Sequence, residues 1–215
     1  EIYMGDWSSD VCSSDLTGDG LSMCGRCARE RAVRYLTLVL LLAAMLARAD
    51  VAYPPQSIYQ LPTRLTNQAG VEHGLDVYAG HPVLVTMFYG TCPAACPLLI
   101  DTLRAAERAA PPAQRQRLRV LMISIDPQHD TVQSLQELAR SRRIDPSRWT
   151  LARTDAATVR RIAAVLNVQY RQLPDGGFNH SSVITLLTPR GEIVMQSTVL
   201  AKADDALIQA LSGIP

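Results

Sequence analysis

Cys92 and Cys96 lie four positions apart in Gly90-Thr91-Cys92-Pro93-Ala94-Ala95-Cys96-Pro97. A structural disulfide stabilises most when it closes a long loop, so a pair this close is better suited to redox chemistry or metal binding. The thiolate is the active species in either role, as nucleophile or as ligand. Dithiol oxidoreductases usually carry two residues between their cysteines, whereas three stand here. Two thiolates need a further ligand to hold a metal well. From Asp50 onward the chain offers His73, His81, His129 and His180. Two soft thiolates plus an imidazole favour copper, with zinc as the rival. At this level redox pair and metal site both stay open.

These residues need a scaffold. Val83 to Tyr89 is a nearly continuous apolar run rich in β-branched and aromatic residues, which predicts a strand buried on both faces. Gly90 to Pro93 breaks it, and Leu98, Leu99, Thr102, Leu103 and Ala106 follow helical spacing up to Pro111 and Pro112. The cysteines therefore fall where a buried strand passes into a helix, whose N-terminus favours the thiolate. Leu118 to Ile125 is a second buried-type strand. Helices are predicted around Val132 to Ala139 and over Ala156 to Leu166, with a short strand at Thr150 to Ala152 between them. Val168 to Gln172 reads as extended and Pro174-Asp175-Gly176-Gly177 as a turn. Val183 to Leu187 and Glu192 to Ser197 form a hairpin, and Ala203 to Leu211 closes as a helix. This order predicts an α/β fold, a sheet with helices on both faces. In a thioredoxin-like sheet, the segment before the Val183 strand faces the loop after the first buried strand. His180, in Phe178-Asn179-His180-Ser181-Ser182, stands there. It is the candidate third ligand beside Cys92 and Cys96.

Bulk properties narrow the context. From Asp50 onward 16 Lys and Arg face 14 Asp and Glu, a net charge of +2, which gives no electrostatic reason to expect nucleic acid. Residues 1–22 read as a non-native or disordered leader; Ser-Ser-Asp occurs twice in it, and no hydrophobic period runs through Glu1 to Leu16. From Met23, Arg26, Arg29, Arg31 and Arg34 precede a largely apolar run of 13 residues, Tyr35 to Ala47. Ala47-Arg48-Ala49 then matches a small-x-small cleavage pattern. Residues 23–49 thus read as a signal peptide, with an uncleaved N-terminal anchor as the alternative, and 50–215 as the mature domain. Cys24 and Cys27 form a CxxC that lies ahead of the cleavage point, so no function is expected of it. Processing would leave Cys92 and Cys96 alone in the periplasm, where the pair can oxidise to a disulfide.

Three segments in this order resemble the Sco/SenC copper proteins. Phe88 to Leu98 resembles their CxxxCP segment, Ile123-Ser124-Ile125-Asp126-Pro127-Gln128-His129-Asp130-Thr131 their strand followed by DPxxDT, and Asn179-His180-Ser181 the segment bearing their distal histidine. The similarity runs from about Tyr59 to Leu211. The resemblance implies a thioredoxin-like fold with an inserted hairpin near Val168 to Phe178. It also implies one copper ion bound by Cys92, Cys96 and His180, and a role in assembling the dinuclear copper centre of cytochrome c oxidase. The implied partner is that enzyme's copper-bearing subunit or another periplasmic copper carrier. One position departs: a hydrophobic-Asp pair usually precedes the histidine, and here Phe178-Asn179 stands in its place.

Other residues have plainer readings. Asp126-Pro127 starts a turn and Asp130-Thr131 caps the next helix; the alternative for these two carboxylates, Asp126 first, is to orient a copper ligand. His129 is read as solvated, His81 as part of a surface turn, and Trp149 and Tyr170 as packing residues. The competing function is a thiol-disulfide oxidoreductase or peroxidase, with Cys92 as nucleophile and Cys96 resolving. If the leader is cleaved as read, N-terminal sequencing of exported protein will begin at or near Asp50. Recovery of intact protein only from the cytoplasm would contradict export.

Overall fold

The computed structural model describes residues 53–92 and 95–215. The readings that rest on residues 1–49, and on the side chain of Cys96, lie outside what is described. Strand β3 (Val83–Phe88) is buried at every position because each of its faces meets a different layer. Val83, Val85 and Met87 join Leu121 and Ile123 of β4 (Arg119–Ser124) in one core. That core is covered by Val159, Ile162 and Ala163 of the helix Ala156–Val165. Leu84 and Phe88 face the other way with Val120 and Met122, under Leu99, Ile100 and Leu103 of the helix Ala95–Ala109. The period of two along a strand divides one apolar run between two cores.

In chain order the first elements are β1 (Leu65–Asn67), β2 (Glu72–His73), β3, α1 (Ala95–Ala109), α2 (Pro112–Arg117), β4 and α3 (Val132–Ser141). They are followed by β5 (Trp149–Arg153), α4 (Ala156–Val165), β6 (Tyr170–Gln172), β7 (Phe178–His180), β8 (Ile184–Leu187), β9 (Ile193–Ser197) and α5 (Asp205–Ser212). The main sheet has the order β2-β1-β5-β4-β3-β8-β9, and β6 and β7 form a separate two-stranded ribbon. β3 and β4, and β4 and β5, are parallel, while β8 lies antiparallel to β3 and to β9. The fold is the expected α/β sheet with helices on both faces. Two details differ from the sequence reading. Pro112 starts the short helix α2 as well as following the end of α1, since a first-turn proline lacks only a hydrogen bond that the helix does not need. The hairpin ahead of β8 extends to His180, so that residue belongs to β7 and not to a loop.

The first strand leaves the sheet early, and a side chain continues its pairing. β1 pairs with β5 through Thr66 and Asn67. Asn67 Oδ1 then accepts from the N–H groups of Ala69 and Val71 and turns the chain away. Gln68 extends the ladder: its Nε2 donates to the Trp149 carbonyl at 3.1 Å and its Oε1 accepts from the Leu151 N–H at 2.9 Å. Gln68→Ala would leave both buried groups of β5 unpaired, at a cost of about 2 kcal/mol. Urea unfolding of the two proteins measures this, and an unchanged midpoint would contradict the role assigned to the amide.

Candidate functional site

The loop that carries Cys92 leaves the carboxyl end of β3, the edge at which open α/β sheets place ligands. Its start is tied down from the next crossover. Asp130 is 2% exposed, and its Oδ1 and Oδ2 accept from the Gly90 N–H at 3.1 and 3.0 Å. Oδ2 also accepts from the Ser124 hydroxyl, at the end of β4. The Ile125 N–H donates to the Phe88 carbonyl at 2.7 Å and joins the same two strand ends. Burial pushes the Asp130 carboxyl above its ordinary pKa, opposed by the hydrogen bonds from Ser124 and Gly90. A Cβ at Gly90 would collide with Asp130 Oδ1, so any larger residue there would displace the carboxylate. The expected capping role of Asp130 is therefore corrected. Thr131 is the N-cap of α3, in a reciprocal capping box with Ser134, and Asp130 faces inward.

Tyr89 connects this loop to His180. The Cys92 N–H donates to the Tyr89 carbonyl at 3.3 Å. The Tyr89 ring meets the His180 imidazole edge to face, with centroids 5.8 Å apart, and the Phe178 ring at 5.4 Å. Phe178 and His180 share one face of β7, as alternate strand residues must. Asn179, between them, is exposed and pairs with Arg171 of β6. The position that departs from the Sco/SenC pattern thus faces away from Tyr89. His180 Nδ1 lies 3.2 Å from the Ser181 carbonyl. A carbonyl only accepts, so Nδ1 carries the proton and Nε2 keeps its lone pair. Burial holds the His180 pKa below its ordinary value, partly offset by the bond to Ser181. The ring is therefore neutral near pH 7, the form that ligates metals.

Cys92 is half-buried and packs against both cores, at the end of the sheet where the two layers meet. Cys96 is in the first turn of α1, which begins at Ala95. Among the described residues no three of His, Cys, Asp and Glu gather into a set able to hold a metal ion; the Cys96 side chain is outside that set. Asp126 is 3% exposed and accepts from the His129 ring, with Nδ1 2.8 Å from Oδ2. His129, read as solvated, is exposed but held by this bond. His81 precedes β3 and reaches the Arg117 carbonyl at 3.0 Å, a strand length of roughly 20 Å from the cysteine loop. His73 reaches its neighbouring Gly74 carbonyl. A cleft of about 700 Å³ between α4 and the hairpin is bordered by Arg160, Ala163, Tyr170, Arg171 and His180. A second, of about 440 Å³, is bordered by Tyr89, Thr91, Asp126, His129, Asp175 and Gly177.

Sequence reasoning missed Tyr89 and the contact of Asp130 with Gly90. Tyr89 reads as the last residue of an apolar run, and nothing local shows that it reaches a residue 91 positions later. For Asp130, the available signal was a glycine just after a buried strand, which marks a close approach of another group.

The family profile described as SCO1/SenC matches residues 52–213. No curated protein sequence matched. Among solved structures, Arabidopsis thaliana ScoI with copper bound aligns at a TM-score of 0.61 and 22% identity, covering 71% of this chain and 94% of that one. Bradyrhizobium japonicum ScoI with copper bound aligns at 0.57 and 23% identity, covering 70% and 96%. A SCO1/SenC family lipoprotein from Bacillus anthracis aligns at 0.63 and 17% identity, covering 74% and 97%. The structural likenesses show a shared thioredoxin-like fold, and the match across most of the sequence places this chain in the SCO1/SenC family.

Proposed function

We propose that this chain binds one copper ion through Cys92, Cys96 and His180 and serves in cytochrome c oxidase assembly. In this reading it delivers copper to the enzyme's dinuclear copper centre, or keeps the thiols of that centre reduced. The observation that carries the reading is Tyr89, which joins the Cys92 loop by its backbone to His180 by its ring. His180 supplies a neutral imidazole with Nε2 available. Cys96, in the first turn of α1, and Cys92, just ahead of it, lie where the helix terminus favours thiolates. Two thiolates and one imidazole suit a soft ion. Three protein ligands at a loop edge leave the metal open to a partner's ligands, which is what transfer by ligand exchange requires. Asp126, the alternative orienting carboxylate of the sequence reading, is bonded to His129 and is not assigned to His180.

Relatives support each half of this reading. Two aligned Sco structures hold copper. BsSco, described as a cytochrome c oxidase assembly protein with a disulfide switch, aligns at a TM-score of 0.60 and 18% identity, covering 75% and 97%. That relative also favours the second reading, a thiol-disulfide oxidoreductase using Cys92 and Cys96. A periplasmic site, free or anchored to the inner membrane, fits the leader and the lipoprotein relative. Among the described residues no helix is long and apolar enough to cross a membrane.

Thiol titration beside copper titration tests thiolate ligation. Reduced protein is expected to show two reactive thiols from Asp50 onward and to bind one copper per chain. Protein with a Cys92–Cys96 disulfide is expected to bind it at least about a hundredfold more weakly, a loss of about 2.7 kcal/mol. Equal binding by the oxidised protein would contradict thiolate ligation.

A further inference from the structure

The Asp126–His129 pair has no part in the site proposed above, yet its arrangement is that of a prepared metal ligand. The Asp126 carboxylate is buried, with 4% of its side chain exposed, while 57% of the His129 side chain is exposed. Both carboxylate oxygens lie within 3.0 Å of Nδ1, and Oδ1 also accepts from the His129 N–H at 3.3 Å. A carboxylate that accepts a hydrogen bond from Nδ1–H fixes the ring and its tautomer, leaving the Nε2 lone pair available. This is how carboxylates orient metal-binding histidines.

The position of the pair suggests what it would bind. His129 and Thr91 border the same cleft, and Thr91 is the residue before Cys92. The Asp130 carboxylate on Gly90 holds the two segments together, one residue from His129 and two from Cys92. No three metal-binding side chains gather there among the described residues, so the imidazole offers one ligand and not a closed cage. A single oriented ligand in the cleft bordered by Thr91, the residue before Cys92, suits transient capture.

We infer that His129 Nε2 is a way-station ligand, which takes copper from an incoming complex and passes it to Cys92 and Cys96. This rests on the copper-binding reading. No electrons move. The Nε2 lone pair displaces one ligand of the arriving complex; the two sulfurs and the His180 imidazole then displace Nε2 and the remaining ligands of that complex, which leave into solution, and the thiol protons go to water.

The test is stopped-flow loading of the reduced protein from a copper–glycine complex, with equilibrium copper affinity measured alongside. His129→Ala is expected to load at least about tenfold more slowly while keeping its final affinity, and added imidazole should restore the rate. His129→Asn keeps a donor for Asp126 but has no imidazole lone pair, and should be as slow as His129→Ala. An unchanged loading rate in both variants would overturn the inference and leave the copper site standing. Rescue by the Asn variant, or none by imidazole, would also overturn it, by making the pair a purely structural contact. A fall in final affinity as large as that of His180→Ala would make His129 a permanent ligand and overturn the way-station role. Absence of copper binding by the unaltered reduced protein would overturn the copper-binding reading and this inference together.

Discussion

One buried carboxylate sets the geometry on which the site depends. Asp130 leaves a crossover loop, turns inward and accepts from the backbone of Gly90 and the hydroxyl of Ser124. It thereby fixes the carboxyl ends of β3 and β4 relative to each other and fixes the start of the loop bearing Cys92. The interaction is costly to form because a carboxylate loses its water, which is why burial raises its pKa. Two donors from two strand ends offset that cost, and the missing Cβ of Gly90 makes room for the contact. A half-satisfied version would be worse than an apolar one, so carboxylate, glycine and serine function as a set.

From this fixed start, order passes to the distal histidine through an aromatic contact. The β6–β7 ribbon is hydrogen-bonded to itself and lies apart from the main sheet. Its attachment near the cysteine loop is the packing of Phe178 and His180 on Tyr89. Such ring contacts are weaker and less directional than a strand ladder. In the proposed site, Cys92 thus stands on the loop that leaves β3 and His180 on a ribbon held by side chains. That difference suits the proposed role, in which a metal is both held and released.

Much of this was legible in the sequence, for identifiable reasons. β3 and β4 were plain because strands buried on both faces must be apolar throughout, and Ala156–Val165 because its apolar stripe repeats at helical spacing. The order of the three motifs pointed to the Sco/SenC family, and the family profile matches residues 52–213. The Asp130 role was hidden because Asp and Thr are both capping residues, and only three-dimensional packing decides which one caps. β7 was hidden because three residues, Phe178 to His180, are too few to display a period. Helix α2 was hidden because Pro111-Pro112 reads as a stop, while Pro112 also fits a first turn. The Asp126–His129 bond was missed because a histidine after a turn reads as solvated until its partner is seen to be buried.

The central claim is that the imidazole, and not the thiol pair alone, makes this a copper site. Copper titration of His180→Ala beside the unaltered reduced protein tests it most directly, with circular dichroism to confirm the fold and reduction of a small disulfide as internal control. The account predicts copper affinity at least about a hundredfold weaker, a difference of about 2.7 kcal/mol, with fold and thiol chemistry unchanged. Equal copper affinity in the two proteins would contradict the three-ligand site and leave thiol-disulfide exchange as the function of Cys92 and Cys96.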